Sequence, residues 1–366
     1  MHTVLILGGY GFFGQRIGAA LASNRSIRVL VGGRNGEQAR ATVHALKLPP
    51  DSAVAVDAAD RQLAQNLSGL RVATLIHTAG PFQGQDYAVA RAAIEAGCHY
   101  IDLADARDFV TGIECLDAAA QARGVSVISG ASSVPALSCA VIERYLERFH
   151  RLESIHIAIS SGARSPGVAT LRAVFSYAGR PFSCWHNGAW VDRYGCLDLR
   201  RHQFPPPLGR RWLGSCDVPD LALFPRRYPG VRTVSFQAGS ASDVGQLLLS
   251  GLAQLVRVGM LRSLAPVARP LHRLSRWLEP LVSDQGGMFV SLRGQGQDHA
   301  PLSLTWNLLA RQNHGAHVPC GAAIALAGKL AAGAALPAGA MPCTGLLTVE
   351  EYLEPLRGLD IRESVA

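Results

Sequence analysis

Gly8, Gly9, Gly11 and Gly14, set directly behind a short apolar run, constrain this chain more than any other feature. Val4 to Leu7 leaves no room for a helix before the glycines and reads as a buried strand. Phe12 to Ala22 has a helical pattern, and Ile27 to Val31 is a second apolar run. Strand, glycine turn, helix and strand are the context that a dinucleotide fingerprint requires. The glycines spell it as G-x-G-x-x-G (Gly9, Gly11, Gly14) or as G-x-x-G-x-x-G (Gly8, Gly11, Gly14). They allow a tight turn, close backbone approach to a pyrophosphate, and close packing of helix on strand. The amides at the helix start, with Phe12 and Phe13 among the cofactor-binding positions, then face negative charge.

The end of the second strand selects the cofactor. An NAD site usually carries Asp or Glu there for the ribose 2′-hydroxyl. This chain has Gly32-Gly33-Arg34-Asn35, and no carboxylate before Glu37. An arginine suits a 2′-phosphate through a charge-assisted contact, so the expected cofactor is NADP(H), with Arg34 and Asn35 beside it and Arg16 as a further cation.

Strands and helices go on alternating. Ala53 to Val56 is a third strand ending at Asp57, a further cofactor-binding position. Val72 to Ile76 is a fourth, Tyr100 to Leu103 a fifth, and Val125 to Ser129 a sixth. A helix is expected over Thr111 to Arg123, and another from the turn at Gly130 to Pro135 as far as Phe149. The fold class is therefore α/β: an N-terminal Rossmann-type, doubly wound parallel sheet in the order 3-2-1-4-5-6. In such a sheet ligands bind outside the carboxyl ends of the strands.

Beyond residue 150 the pattern changes. Ile155, Ile157 and Ile159 alternate on one face, as in a half-buried strand. His186-Asn187-Gly188 between apolar flanks predicts a hairpin with an Asn-Gly turn. Met288 to Arg293 and Leu302 to Ala310 are strands around a polar turn. The expected organisation is an NADP-binding Rossmann domain over 1–150, an α+β substrate or dimerisation domain with a mostly antiparallel sheet over 151–318, and C-terminal helices over 319–366 that return to the first domain. Thr348 with Glu351 makes a capping box for the last helix.

Composition narrows the partners. A 366-residue chain with 48% hydrophobic and 17% charged residues has the material for a large core in two domains. The formal charge of +8 is spread along the chain without aromatic interleaving, which excludes a recognisable nucleic-acid motif. The eight cysteines lack metal spacing and a disulfide pattern, so no metal is expected and free thiols in a cytoplasmic setting account for them. The apolar start lacks the basic flank of a signal peptide. Val244 to Trp277 is strongly apolar in its first half but short of a bilayer span. It reads as a helix buried in a domain or a homodimer interface; the sharper reading is peripheral contact with the inner face of a membrane, helped by its arginines.

With these residues in view, the chain resembles the saccharopine dehydrogenase-like family of NADP-binding oxidoreductases. GGYGFFG, VGGRN, HTAGPFQGQDYAVARAAIEAGCHYIDLAD and SGASSVPALS carry the resemblance over roughly the first 150 residues. GRPFSCWHNGAWVDRYG, CDVPDLALFP and GAMPCTGLLT resemble a bacterial subgroup. The resemblance implies nicotinamide chemistry: hydride transfer that makes or breaks a C–N bond in some relatives, enoyl reduction in lipid pathways in others. This chain departs from it in His77, where many relatives have Asn or another small polar residue, and in Ala104-Asp105-Ala106-Arg107, where several have Gly-Glu.

The strand ends supply the candidate chemistry. Ala79, Gly80, Pro81 and Phe82 follow the fourth strand and are expected to line the nicotinamide. His77 could shuttle a proton, or could be a packed structural histidine. Asp102 and Asp105 could divide acid and base roles, or serve as a cap and an ion pair with Arg107. Gln83, Tyr87, Ser132 and Ser133 are the candidate substrate contacts, with N-capping as the plainer role of Ser133. Arg164, His186, Asp217 and His314 are weaker candidates in the second domain. A Tyr-x-x-x-Lys pair is excluded because neither Lys47 nor Lys329 has a tyrosine at that spacing. The expected activity is an NADP(H)-dependent oxidoreductase acting on a C=N or C=O carbon of a small or amino-acid-like substrate. The alternatives are an enoyl or lipid reductase of the same family, and a non-catalytic, NADP-binding, membrane-associated or regulatory scaffold.

Overall fold

The structure is a computed structural model that describes residues 1–162, 168–264, 266 and 283–366. The chain divides into two compact units, Met1–Leu137 with His317–Leu356, and Ser138–Ala316 with Arg357–Ala366.

The first unit is built on a seven-stranded parallel sheet. Its strands are β1 (His2–Leu7), β2 (Ile27–Gly33), β3 (Ala53–Ala55), β4 (Thr74–His77), β5 (His99–Asp102) and β6 (Ser126–Ser129). They lie in the expected order 3-2-1-4-5-6, and a seventh strand, Gly339–Pro342, adds beside β6. Val4 to Leu7, Leu75, Ile76, Val127 and Ile128 are buried, which is why these strands read as continuous apolar runs. The connecting helices are α1 (Phe12–Ala22), α2 (Gly36–Ala45), α3 (Leu63–Gly69), α4 (Ala88–Ala96), α5 (Arg107–Gly112) and α6 (Asp117–Ala122). The single helix expected over Thr111 to Arg123 is instead broken by a 3-10 turn at Ile113–Leu116. Gly112 sits against the Tyr87 hydroxyl, which a Cβ there would approach to 2.5 Å.

The second unit starts at Ser138 with α7 (Ser138–Leu146), ahead of the boundary drawn at residue 150. Phe149 opens β7 (Phe149–Ser160) and so does not end the preceding helix. After α8 (Val168–Tyr177) come β8 (Pro181–His186) and β9 (Ala189–Tyr194), the predicted hairpin. Asn187 at φ 52 and Gly188 at φ 83 form its turn, the pair of left-handed residues that an Asn-Gly turn supplies. Then follow β10 (Arg200–Gln203), β11 (Arg210–Ser215), α9 (Asp220–Arg227), β12 (Thr233–Gly239), α10 (Asp243–Arg257), β13 (Gly286–Gly296) and β14 (Pro301–Ala310). The second sheet has the order β10-β11-β12-β7-β13-β14 and ends in a strand at Ile361–Val365. Only its β12–β7 pair is parallel, so the sheet is mostly antiparallel.

Register gives this sheet two unlike faces. Ile155, Ile157, Val234, Val290, Leu292 and Trp306 share a buried apolar face. Ser154, His156, Thr233, Ser235, Ser291, Arg293 and Thr305 share the other. The tail differs from its helical reading in two places. Behind α11 (Gly321–Ala331), Gly339–Pro342 forms β15; behind α12 (Val349–Leu353), Ile361–Val365 forms β16 beside β14. The capping box is present, with Thr348 accepting from the Glu351 amide and Glu351 accepting from the Thr348 amide.

Of the apolar stretch from Val244 to Trp277, residue 265 and residues from 267 onward lie outside the described residues. The rest forms α10. Leu249, Leu252, Ala253 and Val256 pack on Phe175, Ala178 and Leu197. Val244, Leu247 and Leu248 stand 67%, 46% and 65% exposed, so the helix is buried along one face only. Among the described residues no helix is long and apolar enough to cross a membrane.

Candidate active site

The glycine turn closes in the way its spacing requires. The amides of Gly8 and Gly9 both donate to the Gly32 carbonyl, at 2.9 and 3.0 Å, and Gly11 donates to Gly8. Gly8 lies at φ 85, a left-handed conformation in which glycine is at ease. A Cβ at Gly8 would meet Thr78 Oγ1 at 2.8 Å, and one at Gly14 would meet the Gly8 carbonyl at 2.4 Å. The turn thus needs glycine both to bend and to admit the loop behind β4. Helix α1 begins with Gly11 as its cap, no capping side chain and no acidic residue in its first turn. Its first amides, from Phe12 and Phe13, have no partner within the helix, the arrangement that receives an anion.

At the end of β2, Arg34 is exposed and has no ion-pair partner among the described residues. It shares a shallow depression with Tyr10, Glu37 and Arg40. The Tyr10 ring covers Gly33, where a Cβ would collide with it at 2.3 Å, and the Tyr10 hydroxyl accepts from the Asn35 amide. Asn35 has its side chain engaged elsewhere, accepting from the amides of Glu37 and Gln38 as the cap of α2. Asp57 accepts from the Ala59 amide just past β3. Arg16 lies over the Phe12 ring at 4.0 Å and donates to the Phe12 carbonyl. Tyr10 and Arg40 are the members of this corner that sequence reasoning missed. Their signals were the aromatic inside GGYG and the one-turn spacing from Gly36 to Arg40 on α2.

The loop behind β4 is fixed against the glycine turn. Thr78 donates to the carbonyls of Leu7 and Gly8, at 3.0 and 3.1 Å. Gln85 holds the carbonyls of Ala79 and Pro81, at 3.0 and 2.7 Å, and the Gly80–Pro81 bond is cis. Phe82 is buried, with its ring against His77 and Phe109.

His77 and Asp102 face each other across β4 and β5 and are both buried. His77 Nδ1 lies 3.0 Å from the Tyr100 hydroxyl, and burial pushes its pKa down to about 4. Tyr100 in turn hydrogen-bonds Asp102. Asp102 Oδ1 accepts from the amides of Ala104 and Gly130, at 2.9 and 2.8 Å, and from the Ser129 hydroxyl at 3.0 Å. Burial raises its carboxyl to about 6, and those hydrogen bonds oppose the rise. Asp102 therefore ties the end of β5 to the end of β6. Asp105 differs. It reaches solvent and accepts from Gln83 Nε2 at 3.2 Å.

The remaining candidates are engaged with the fold. The Tyr87 hydroxyl donates to the Phe109 carbonyl at 2.8 Å, which anchors the start of α4 to α5 and leaves that proton unavailable to a substrate. Ser132 and Ser133 are buried, and Ser133 hydrogen-bonds Tyr352 where N-capping had been the plainer reading. In the second unit, His314 Nδ1 accepts from the Asp360 amide, and His186 sits exposed at the hairpin. Arg164 lies outside the described residues. Among the described residues no three His, Cys, Asp or Glu side chains converge to hold a metal, and no cysteine is in a disulfide.

Residues 4–128 match the family model described as the saccharopine dehydrogenase NADP binding domain. Among solved structures, the chain is similar to an apo histidine-tagged saccharopine dehydrogenase (L-Glu forming) from Saccharomyces cerevisiae. The two share 14% identity and a TM-score of 0.70, with both chains covered in full. It is also similar to a meso-dapdh mutant solved with DAP from Clostridium tetani E88, at 12% identity and a TM-score of 0.50 over 96% of each chain. At these identities the structural likeness shows the fold. No curated protein matches the sequence.

Proposed function

We propose that this chain, whose first unit carries a saccharopine dehydrogenase NADP-binding domain, is an NADP(H)-dependent oxidoreductase. Its substrate would be a small or amino-acid-like molecule with a C=N or C=O carbon. The observation that carries this reading is the glycine turn closed against the β4 loop, with Arg34 open at the end of β2. The names of the two similar structures, saccharopine dehydrogenase and meso-dapdh with DAP, support an amino-acid-like substrate.

The bound nicotinamide would supply the hydride, and this chain's residues supply position and charge. The amides of Phe12 and Phe13 hold the pyrophosphate. Arg34 and Arg40 hold the ribose 2′-phosphate, with Tyr10 as the floor between them. Ala79, Gly80 and Pro81, pinned by Gln85, line the nicotinamide. Asp105 moves the proton, because it is accessible and lies just past the carboxyl end of β5. His77 and Asp102 hold the scaffold beneath it.

NADPH oxidation in the presence of a panel of keto acids with amines, carbonyls and enoyl compounds tests this reading. Turnover with the amine-containing mixtures supports it, and turnover restricted to enoyl compounds would replace it with the enoyl reductase alternative. Cofactor binding without turnover on any of them would favour the scaffold.

The exposed row of Val244, Leu247 and Leu248 on α10 supports a second property, contact of this helix with a second copy of the chain or with a membrane surface. Sedimentation of the protein with and without liposomes separates the two. A monomer that ignores liposomes would rule out both.

A further inference from the structure

The polar face of the second sheet bears a cavity of about 400 Å³, lined by the second unit alone. Register places His156, Ser235 and Ser291 side by side across β7, β12 and β13, with Arg293 one position further along β13. Strand β10 adds Arg200 and His202, and the β8–β9 hairpin adds Trp185 and Arg193. The interior is ordered. His202 stacks on Phe289 at 3.8 Å, and His156 stacks on the same ring at 5.2 Å. His156 Nδ1 lies 3.1 Å from Ser235 Oγ, and Thr305 donates to Ser291.

Charge in this cavity is one-sided. Three arginines line it against one carboxylate, Asp198. Asp198 is occupied, with Oδ2 accepting from Ser215 at 3.4 Å and lying 3.9 Å from Arg193. Arg200 and Arg293 have no ion-pair partner among the described residues. Burial first, and then nearby charge with Arg200 foremost, holds His156 down to about 4, so the guanidiniums of Arg200 and Arg293 both act on one imidazole. Cations gathered in a partly desolvated pocket repel one another unless an anion joins them. Guanidinium forks match the oxygens of carboxylate and phosphate groups, and the stacked rings offer a flat apolar surface beside them.

We propose that this cavity binds a small oxyanion-bearing ligand. Its carboxylate or phosphate oxygens are held by Arg200 and Arg293, and its carbon skeleton lies against His202 and Phe289. The site is built from residues that take no part in the cofactor reading, and it stands whether or not that reading holds.

Calorimetric titration of the full chain with inorganic pyrophosphate and, separately, with citrate distinguishes the two oxyanion sources. At least one is expected to bind saturably and to shift the imidazole resonances of His156 and His202. Arg200→Gln and Arg293→Gln replace exposed side chains and should each weaken that binding by about tenfold or more. Arg28→Gln, which breaks a surface pair with Asp51 in the first unit, should leave it unchanged. Absence of saturable binding by both anions at millimolar concentration overturns the proposal. So does binding that Arg200→Gln and Arg293→Gln leave intact, since the anion would then sit elsewhere.

Discussion

His77 Nδ1 and the Tyr100 hydroxyl meet at 3.0 Å between adjacent strands, and the chain of contacts runs on to Asp102. Tyr100 has a single phenolic proton. Donated to the Asp102 carboxylate, it leaves the tyrosine oxygen to accept from His77 Nδ1–H, an assignment that follows from the network. His77 Nε2 is then a buried acceptor with no hydrogen-bond partner beside the edge of Phe82. The histidine is neutral at physiological pH because its surroundings exclude water, and its partner tyrosine is held well above the ordinary range by burial.

His77 and Asp102 contribute to the acid response of the first unit with opposite signs. Folded, His77 stays neutral down to about 4, while unfolded it takes a proton near 6.5. The unfolded state binds more protons in that window, so stability falls with falling pH, by at most about 3 kcal/mol. Asp102 opposes it, because its folded pKa of about 6 exceeds the unfolded 3.8 and the fold takes up its proton first. His77→Gln should therefore flatten the loss of stability between pH 6.5 and 4, and Asp102→Asn should steepen it. Urea midpoints across that range measure both. A slope unchanged in the two variants would show that neither group titrates as its burial demands.

Arg34→Asp should weaken NADPH binding about 10- to 100-fold while changing NADH binding far less, since it replaces a charge-assisted phosphate contact with repulsion. Arg40→Ala should do the same to a smaller degree. Fluorescence titration of both cofactors reads the ratio. Equal losses for NADPH and NADH would remove Arg34 from the 2′-phosphate site.

Two helical glycines should respond with opposite signs. A Cβ at Gly14 would meet the Gly8 carbonyl at 2.4 Å, whereas one at Gly69 has nothing within 4 Å. Gly14→Ala is expected to cost about 1–3 kcal/mol and much of the cofactor affinity. Gly69→Ala is expected to be neutral or to add up to about 1 kcal/mol through helix propensity. Thermal melts with and without NADPH compare them, and a Gly14→Ala protein as stable and as tight as the parent contradicts the packing described.

Asp105→Asn should lower kcat about 10²- to 10⁴-fold with little change in cofactor affinity, the usual effect of removing a general acid or base. The pH dependence of the residual rate should lose one limb. Retention of the full rate with an unaltered profile assigns the proton to another group.

The first sheet was legible because period, glycine spacing and strand alternation all point to one architecture, and the order 3-2-1-4-5-6 follows from the handedness of parallel connections. The Asn187-Gly188 hairpin and the Thr348–Glu351 box were legible for the same local reason. Strand β15 was not, since Gly-Ala-Met-Pro carries no alternation and is held by Asp117, which accepts from the Ala340 amide. At the site, the glycines declare themselves through spacing. For Asp102, sequence does not report that one oxygen meets two amides and a hydroxyl. Nor does it report that the Tyr87 hydroxyl donates to the carbonyl of Phe109, 22 residues on.

Strand β15 also fixes an order of events during synthesis. Ser126 on β6 donates to the Pro337 carbonyl, 211 residues later in the chain. Six strands of the first sheet can pair as soon as they leave the ribosome, but β6 keeps an open edge until the segment past residue 339 arrives. A waiting edge invites pairing with another chain. Nascent chains stalled within the second unit therefore expose the β6 edge, which β15 covers in the finished protein.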